Sequence, residues 1–294
     1  MFTCSIGIMV YNEEKNIASL LNSLLDQHPS NCTIDEIVVV ASGCTDRTVE
    51  IVKKYIKKDK KIKLLRQERR EGKASAVNYF LAHAKSDIIV LESGDTIPVK
   101  HAIEKLVERF KDPKVGMVGG HPIPVMLKNA YMGFTVNLLW HLHHRIALVN
   151  PKCGELVAFR NIIKKIPISS VDEACIEAVI LEAGYELQYE PEAIVWNKGP
   201  DTISDFIAQR RRIAAGHQYL KKIKGYSVST KSPIRIFIVL FQESFKRFLW
   251  TFCTIALEGY ARFLGRMDVM FKGDKHNIWK IAESTKQEIK HVQD

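Results

Sequence analysis

An acidic residue closely follows an apolar run in the segment Glu92–Thr96. The run Ile88–Leu91 has the composition of a buried strand, and Asp95 comes after it beside the small residues Ser93 and Gly94. Hard divalent cations bind carboxylate oxygens in proteins and bridge them to the phosphate oxygens of a substrate. The segment is therefore typical of a metal site for a phosphorylated substrate, and a solvated turn after a strand is the alternative.

A lysine at the start of a predicted helix offers a second group for phosphate chemistry. Lys73 follows Gly72, and the backbone N–H groups at a helix N-terminus favour an anion. The ammonium of Lys73 would add a positive charge to that attraction. A solvated lysine in the first helical turn is the alternative for this position.

The first 100 residues alternate strand-like and helix-like patterns, which predicts an α/β fold. Strands are predicted at Cys4–Val10, Glu36–Ser42, Ile62–Leu65 and Asp87–Leu91, with helices ending near Leu25, Lys58 and Ala84. Continuous Val and Ile runs indicate strands buried on both faces of a parallel sheet. Ligands bind beyond the carboxyl ends of such strands. The segments that follow those ends should therefore converge on one cleft: Tyr11–Glu14, Ala41–Asp46, Arg69–Lys73 and Ser93–Asp95.

The second half of the chain mixes the same two patterns less regularly. Strands are predicted at Val115–Val125, Gly154–Phe159 and Glu186–Tyr189, and helices at Tyr131–Leu148, Asp172–Ala183 and Asp201–Ile223. A stretch rich in Ser, Thr, Gly and Lys near Tyr226–Pro233 marks a soft boundary.

Composition limits the class of protein. The chain has 294 residues and 46% apolar content, enough for one large domain with an appendage. Its net charge is +10, and the excess of Lys and Arg lies mainly in the C-terminal third. That third should attract something anionic, namely a membrane surface, a nucleic acid or a phosphorylated substrate.

The cysteines and the termini add further expectations. The six cysteines are widely scattered without a C-x-x-C pair, so we expect reduced thiols rather than a zinc site. The chain enters a strand at once, so no secretory signal is expected. No uncharged apolar run in the C-terminal third reaches the roughly 18 residues that span a bilayer.

Seven motifs, in this order, resemble those of the family 2 glycosyltransferases, which are inverting enzymes of GT-A fold. They are Tyr11-Asn12-Glu13-Glu14, Ser42-Gly43-Cys44-Thr45-Asp46, Arg70-Glu71-Gly72-Lys73, Ser93-Gly94-Asp95, Gly154–Arg160, Asp172-Glu173 and Gln209-Arg210-Arg211-Arg212-Ile213. The resemblance covers roughly residues 3–220. It implies a Rossmann-like, mostly parallel sheet flanked by helices, to which the C-terminal pattern adds amphipathic helices.

The resemblance implies transfer of a sugar from a nucleoside diphosphate to a hydroxyl or phosphate. Asp95 would hold Mg²⁺ or Mn²⁺ near the diphosphate, and Lys73 would add its charge. Glu173 is the expected base and Asp172 the alternative, although a carboxylate in a first helical turn also serves the helix dipole. In the family, the base acts on the face opposite the leaving group, so one displacement inverts the anomeric centre.

Other matching positions imply donor and acceptor contacts. The expected nucleotide-sugar contacts are Tyr11, Asn12, Glu13, Ser42, Asp46, Ser93, Gly94, Gln209, Arg210 and Arg212, and the last three could instead serve the acceptor. Asp46 is equally suited to cap a helix. Gly154 and Glu155 are expected on the acceptor side. His217 is a candidate for a metal or phosphate contact, against the alternative of a packed helix histidine.

Four departures from the family pattern affect the expected activity. Ser93 replaces the first acid of the D-x-D motif, Ala41-Ser42 replaces an acidic pair, and the order of Asp172 and Glu173 is inverted. Ile213 stands where processive polymerases commonly carry Trp, which favours single transfer. A non-catalytic nucleotide-sugar-binding or scaffold protein of the same fold is the main alternative. Charge alone suggests a nucleic-acid binder, and we exclude it because no binding motif accompanies the charge.

The C-terminal region predicts a membrane contact. We divide the chain into a catalytic domain at residues 1–225, with halves 1–98 and 99–225, and a basic amphipathic extension at 226–294. Apolar residues recur at helical spacing at Ile234, Ile238, Phe241, Phe245, Phe248, Phe252, Ile255, Tyr260 and Phe263, flanked by basic residues. Such a helix suits the interface of an anionic membrane, and packing on the catalytic domain is the alternative. We therefore expect a peripheral enzyme on the cytoplasmic face of the membrane, with a UDP- or GDP-type donor and an acceptor that could be lipid-linked.

Overall fold

The computed structural model describes residues 1–226, 247–272, 279 and 282–289. The strands are β1 (Phe2–Val10), β2 (Cys32–Ser42), β3 (Ile62–Gln67), β4 (Ile88–Ser93), β5 (Thr96–Pro98), β6 (Val115–Pro124), β7 (Val157–Arg160) and β8 (Glu186–Asn197). The helices are α1 (Ile17–Leu25), α2 (Thr48–Lys58), α3 (Lys73–Leu81), α4 (Ala102–Glu108), α5 (Ala130–Ala147), α6 (Asp172–Glu182), α7 (Ile203–Lys224) and α8 (Phe248–Lys272). Short 3₁₀ turns lie at Arg109–Lys111 and Glu283–Lys286.

All eight described strands form one sheet in the order β3-β2-β1-β4-β7-β6-β8-β5. The first four strands of this order are parallel. Strand β7 runs antiparallel to its neighbours β4 and β6. Strands β6 and β8 are parallel to each other, and β5 pairs antiparallel with β8 at the edge of the sheet. The predicted α/β class with a mostly parallel sheet is therefore confirmed.

Helices cover both faces of the sheet and bury its apolar strands. On one face, Ile6 and Ile8 of β1 pack with the apolar residues of α1, α2 and α4. On the other face, α3 and α6 pack on the sheet, and Phe80 of α3 is fully buried. A Cβ at Gly7 would lie 2.4 Å from the Phe80 ring, so the aromatic side chain sits directly on the β1 backbone. This burial on two faces explains the continuous apolar runs of β1, β2 and β4.

The second half differs from the predicted elements in three places. The strand predicted at Gly154–Phe159 begins only at Val157, because Glu155 has a left-handed backbone with φ of 57° and leaves the strand path. The strand predicted at Glu186–Tyr189 continues to Asn197, past the interruption at Pro191 that hides its pattern. Strand β5 and helix α4 were not predicted, and both are too short to give a clear period.

Helix α8 packs along α7 and the start of α5. Arg210 and Arg211 of α7 pair with Glu258 and Asp268 of α8, and Thr135 of α5 hydrogen-bonds Thr254 at 2.9 Å. The opposite side of α8 is exposed. The apolar positions predicted at Ile234, Ile238, Phe241 and Phe245 lie outside the described residues. No helix in the described ranges has both the length and the apolar character that crossing a bilayer requires. The division at residue 226 stays a prediction.

Candidate active site

A cavity of about 670 Å³ opens beyond the carboxyl ends of β1, β2, β3 and β4. All four predicted loops contribute to its lining, through Tyr11, Glu13, Ser42, Arg70, Gly72, Lys73, Ser93, Gly94 and Asp95. The predicted convergence of these loops is therefore confirmed. Residues of α5, α6, α7 and α8 close the other side, among them Asp172, Glu173, Gln209, Arg210, Arg212 and His217.

Two of the predicted donor contacts build the loops rather than line the cavity. Asn12 has a left-handed backbone with φ of 52°, and its Oδ1 accepts a hydrogen bond from the Thr45 N–H at 2.8 Å. The Asp46 carboxylate accepts from the Thr48 and Glu14 N–H groups, each at 3.0 Å. The Asp46 carboxylate therefore holds the first N–H group of α2 and ties the β1 loop to the start of that helix.

An aromatic ring and a guanidinium mark one edge of the cavity. The Arg70 guanidinium carbon lies 4.6 Å from the centre of the Tyr11 ring, a cation–π distance. The Ser42 hydroxyl accepts a hydrogen bond from the Glu71 N–H at 3.2 Å, which holds the β3 loop against the β2 loop. These contacts join the β1, β2 and β3 loops at this edge of the cavity.

Lys73 joins the β4 loop to the acidic pair of α6. Its Nζ lies 2.7 Å from Glu173 Oε1, 3.1 Å from Asp172 Oδ2 and 3.4 Å from Ser93 Oγ. Gly72 has a φ of 92°, a left-handed conformation that lets the chain turn abruptly into α3. Burial alone would lower the pKa of the Lys73 ammonium, but Asp172 and Glu173 raise it, so the group stays charged.

The two acids of the pair differ in access and in proton affinity. The Asp172 side chain is 4% exposed and the Glu173 side chain 21%. Burial and the charge of Glu173 raise the pKa of Asp172 to about 6. Burial works against ionisation of Glu173 too, yet Lys73 lowers the pKa of that carboxyl. Glu173 is thus the ionised, accessible carboxylate, and Asp172 lies behind it.

Three carboxyl groups gather around the end of β4. A Cβ at Gly94 would lie 2.9 Å from Glu13 Cγ, so only glycine lets the β4 loop come this close to β1. Burial and the nearby Asp95 raise the pKa of Glu13 to about 7. Burial and Asp95 likewise raise the pKa of Glu155 to about 7. Asp95 therefore stands in the field of two other acids, and a cation there would relieve their repulsion.

These carboxyl groups fit a divalent cation that is shared with a phosphorylated ligand. No group of three or more Asp, Glu, His or Cys side chains in the described ranges is arranged to enclose a metal. Magnesium commonly takes one or two carboxylates and completes its shell with water and substrate phosphate. Asp95 would supply the protein oxygen, and Glu155 is a further candidate.

A segment near the C-terminus supplies a cation that the sequence did not reveal. Lys286 lies in the short turn Glu283–Lys286, lines the cavity and forms an ion pair with Glu13. Burial opposes the charge, but Asp95 and Glu13 raise the pKa of this lysine. The Ser284 hydroxyl donates to Asp205 at 2.6 Å, and the Ile289 N–H donates to Asn16 Oδ1 at 3.1 Å. The segment therefore forms part of the cavity lining and is anchored to α7 and to the residue before α1.

The far side of the cavity is basic. Arg210 donates two hydrogen bonds of 2.7 Å to Glu258, which also accepts from Arg262 at 2.6 Å. Lys152, just before Gly154, lines the cavity close to both arginines. Arg212 also lines it, and its Nε is buried without a hydrogen-bond partner in the described structure. Arg211 instead faces Asp268 and is not among the lining residues.

Sequence reasoning missed Lys152, Glu258, Arg262 and Lys286. The position of Lys152 beside the Gly154 motif was the one local signal available. Helix α8 and the C-terminal turn reach the cavity only through tertiary packing. The spacing of apolar residues in the sequence does not indicate such contacts. Gly154, Glu155 and His217, predicted on the acceptor side, all line the cavity. Among the charged neighbours of Glu155, Asp95 raises its pKa most, so this carboxyl also faces the β4 loop.

Curated relatives include two synthases of the same name. Poly-beta-1,6-N-acetyl-D-glucosamine synthase of Staphylococcus epidermidis is 26% identical over 276 residues, which is 88% of this chain and 64% of the relative. The synthase of that name from Staphylococcus aureus strain COL is 26% identical over 268 residues, 85% of this chain and 62% of the relative. The chain therefore spans less than two thirds of the length of these relatives.

Solved structures share the fold. A mannosyltransferase from Pyrobaculum calidifontis, in complex with GDP-Man and Mn²⁺, aligns with a TM-score of 0.59 and 22% identity, covering 91% of this chain and 74% of its own. A second similar structure is glucosyl-3-phosphoglycerate synthase from Mycobacterium tuberculosis, in complex with Mn²⁺, UDP and glucosyl-3-phosphoglycerate. It aligns with a TM-score of 0.56 and 19% identity, and the alignment covers 78% of this chain and 82% of the synthase chain. The eight-stranded curled sheet flanked by helices is the GT-A fold.

Two family models match the chain over long, overlapping ranges. The model "Glycosyl transferase family 2" matches residues 5–159, and these include the β1, β2, β3 and β4 loops. The model "Glycosyl transferase family group 2" matches residues 88–264, and these include the acidic pair and most of α8. The chain belongs to glycosyl transferase family 2.

Proposed function

We propose that the protein transfers a sugar from a nucleoside-diphosphate sugar to a hydroxyl or phosphate acceptor, with inversion at the anomeric carbon. One observation carries the proposal. Asp95 and the Asp172–Glu173 pair line the same cavity, and Lys73 touches both Ser93 and Glu173. A cavity of about 670 Å³ lies within the size range of small-molecule sites.

The residues divide the chemistry between the two ends of the cavity. A divalent cation held by Asp95 would neutralise the leaving diphosphate. Lys73 and the backbone N–H groups that open α3 would bind the same phosphates. Glu173 would accept the acceptor's proton at a carboxylate oxygen. The acceptor oxygen then bonds to the anomeric carbon as the bond to phosphate breaks, and that electron pair leaves with the nucleoside diphosphate.

A UDP- or GDP-type donor is supported by the ligands of the structural neighbours. One neighbour was solved with GDP-Man and another with UDP, both with Mn²⁺. Tyr11 and Arg70 provide a flat, cationic edge where a nucleobase could lie. We propose that the base contacts this edge and that the diphosphate points towards Lys73.

The number of sugars transferred separates two versions of the function. Ile213 lines the cavity at the position where processive enzymes commonly carry Trp, which supports single transfer. The names of the curated relatives, which are polymer synthases, favour repeated transfer instead. Mass spectrometry of the product after many turnovers decides, since single transfer gives one added sugar and polymerisation gives a ladder.

We also propose that the enzyme is held on the cytoplasmic face of an anionic membrane. Helix α8 exposes Phe248, Phe252, Phe263 and Phe271, each more than half accessible to solvent. A one-sided aromatic face on a basic region suits the membrane interface. Such placement would bring a lipid-linked acceptor within reach of the cavity.

Donor hydrolysis tests the function against a non-catalytic binding protein. With Mn²⁺ and a panel of UDP- and GDP-sugars, the wild type should release nucleoside diphosphate and free sugar. Glu173→Gln should lower that rate by about 10²–10⁴, the usual contribution of a general base. Glu192→Gln, at an exposed glutamate distant from the cavity lining, is the matched control. Equal rates for wild type and both variants would support the scaffold alternative.

A further inference from the structure

A group of positive charges lines the cavity from α7, from α8 and from the segment before β7. Lys152, Arg210 and Arg262 all line the cavity, and we call them the cation cluster. Two further groups stand beside it. Glu258 pairs with both arginines, and the His217 Nδ1 atom is buried without a hydrogen-bond partner in the described structure.

The carboxylates around the cation cluster do not balance its charge. Glu258 is fully engaged, since it accepts from Arg210 and from Arg262 at 2.6–2.7 Å. The Glu177 oxygens are taken by the Cys153 N–H at 2.8 Å and by the Tyr226 hydroxyl at 2.9 Å.

Lys152 is the unmatched member of the cluster. No ion pair or hydrogen bond satisfies its ammonium within the part of the chain that the structure describes. Burial and the charge of Arg210 lower the pKa of Lys152 to about 8. Burial, Lys152 and Arg210 together lower the pKa of His217 to about 4, so the field there is positive.

Apolar side chains of α5 and α8 line the same cavity as the cation cluster. Leu138, Leu139, Leu142 and Ile146 of α5 line it together with Trp140. Ile255 of α8 also lines the cavity and is 50% exposed. Residues of both α5 and α8 therefore line this cavity, and α8 also carries the exposed Phe252 and Phe263.

We propose that the cation cluster binds the phosphate of an acceptor whose apolar chain leaves the cavity between α5 and α8. The charge identifies the head group, because two arginines and a lysine around a partly enclosed site suit a phosphate. The apolar side chains of α5 and the half-exposed Ile255 identify the tail as a lipid-like chain. The inference rests on the proposed function, since it assigns the acceptor class of the same cavity.

Binding of farnesyl phosphate, below its micellar concentration, tests the proposal by calorimetry. Three probes separate the parts of the ligand: farnesyl phosphate has head and tail, farnesol only the tail, and glycerol phosphate only the head. We expect farnesyl phosphate to bind at least about 10-fold more tightly than either partial probe. Lys152→Gln and Arg262→Gln should each weaken its binding on the order of 10-fold.

Controls keep folding and donor binding separate from this result. Arg211→Gln removes a neighbouring arginine that faces Asp268 outside the cavity, and it should leave farnesyl phosphate binding unchanged. A thermal shift with UDP or GDP and Mn²⁺ should be equal in wild type and Lys152→Gln. If no nucleotide shifts the wild type, the donor assignment fails, while the farnesyl phosphate titration still decides the acceptor subsite.

Three results would overturn the proposal. Equal affinity for farnesol and farnesyl phosphate would show that the cation cluster does not bind the phosphate group. Equal affinity for glycerol phosphate and farnesyl phosphate would show that the apolar chain does not contribute to binding. A loss of nucleotide binding in Lys152→Gln equal to its loss of farnesyl phosphate binding would assign the cluster to the donor diphosphate.

Discussion

Replacing Asp172 by Asn should stabilise the protein at neutral pH while damaging its activity. The Asp172 carboxyl is buried beside Glu173, and its pKa is raised from 3.8 to about 6. Between these two values, the folded protein holds a proton that the unfolded chain has lost. The free energy of unfolding of the wild type therefore falls as the pH rises from about 4 to about 6, and stays low above that range.

The size of the effect follows from the shift in pKa. Each unit corresponds to about 1.4 kcal/mol, so the wild type loses up to about 3 kcal/mol by ionising Asp172. Replacement by asparagine removes this cost, and it also removes the attraction between Asp172 and Lys73. Lys73 still has Glu173 as an ion-pair partner. We expect Asp172→Asn to raise the free energy of unfolding by about 1–3 kcal/mol at pH 7.5 and by nothing at pH 3.5. For a chain of this length, the rise in Tm should be roughly 5 °C.

Urea unfolding and thermal melts at pH 3.5, 5 and 7.5 measure the difference. Asp26→Asn, at the exposed C-terminal end of α1, is the matched control and should stay within about 0.5 kcal/mol of wild type at each pH. If Asp172→Asn is less stable than wild type at pH 7.5, the attraction to Lys73 outweighs the burial of the carboxylate. A gain that does not fade in acid would equally refute the reasoning.

Two further predictions concern the C-terminal region. Lys286→Gln leaves Glu13, which is 2% exposed, without its ion-pair partner, and should cost about 3 kcal/mol of stability at pH 8. Because the pKa of Glu13 is already raised to about 7, its protonation should reduce that cost below pH 6, and melts at pH 8 and pH 5.5 test this. The double variant Phe252→Glu and Phe263→Glu should lose flotation with anionic liposomes at low salt, since both side chains are more than half exposed. Its melting temperature should match wild type, and unchanged flotation would remove the membrane contact.

The nucleotide half of the site was predictable because it follows a local rule. Parallel strands bring their carboxyl ends to one edge, so Tyr11, Lys73 and Asp95 had to converge once the strands were recognised. The ion pairs of Lys73 with Asp172 and Glu173 were not predictable, because nothing in the sequence indicates that position 73 contacts positions 172 and 173. Asp46 shows the reverse case, because its observed contacts at the start of α2 resemble those of the capping alternative.

The part of the cavity proposed for the acceptor depends on long-range packing. Glu258 and Arg262 read as parts of an amphipathic helix, and only the pairing of α8 with α7 turns them towards the cavity. Lys286 reaches Glu13 across 273 positions of sequence. Glu155 was placed on the acceptor side by the family resemblance, which stays a prediction; its left-handed backbone and its electrostatic coupling to Asp95 were not predictable from the strand pattern.

Nucleotide binding by Asp95→Asn tests the central claim most directly. In a thermal-shift assay with UDP or GDP, Mn²⁺ should enlarge the shift of wild type and of Glu173→Gln equally, because Glu173 serves the transfer step. Asp95→Asn should lose the Mn²⁺-dependent part of the shift. An undiminished Mn²⁺ effect in Asp95→Asn would contradict the account, because the cation would then be held elsewhere.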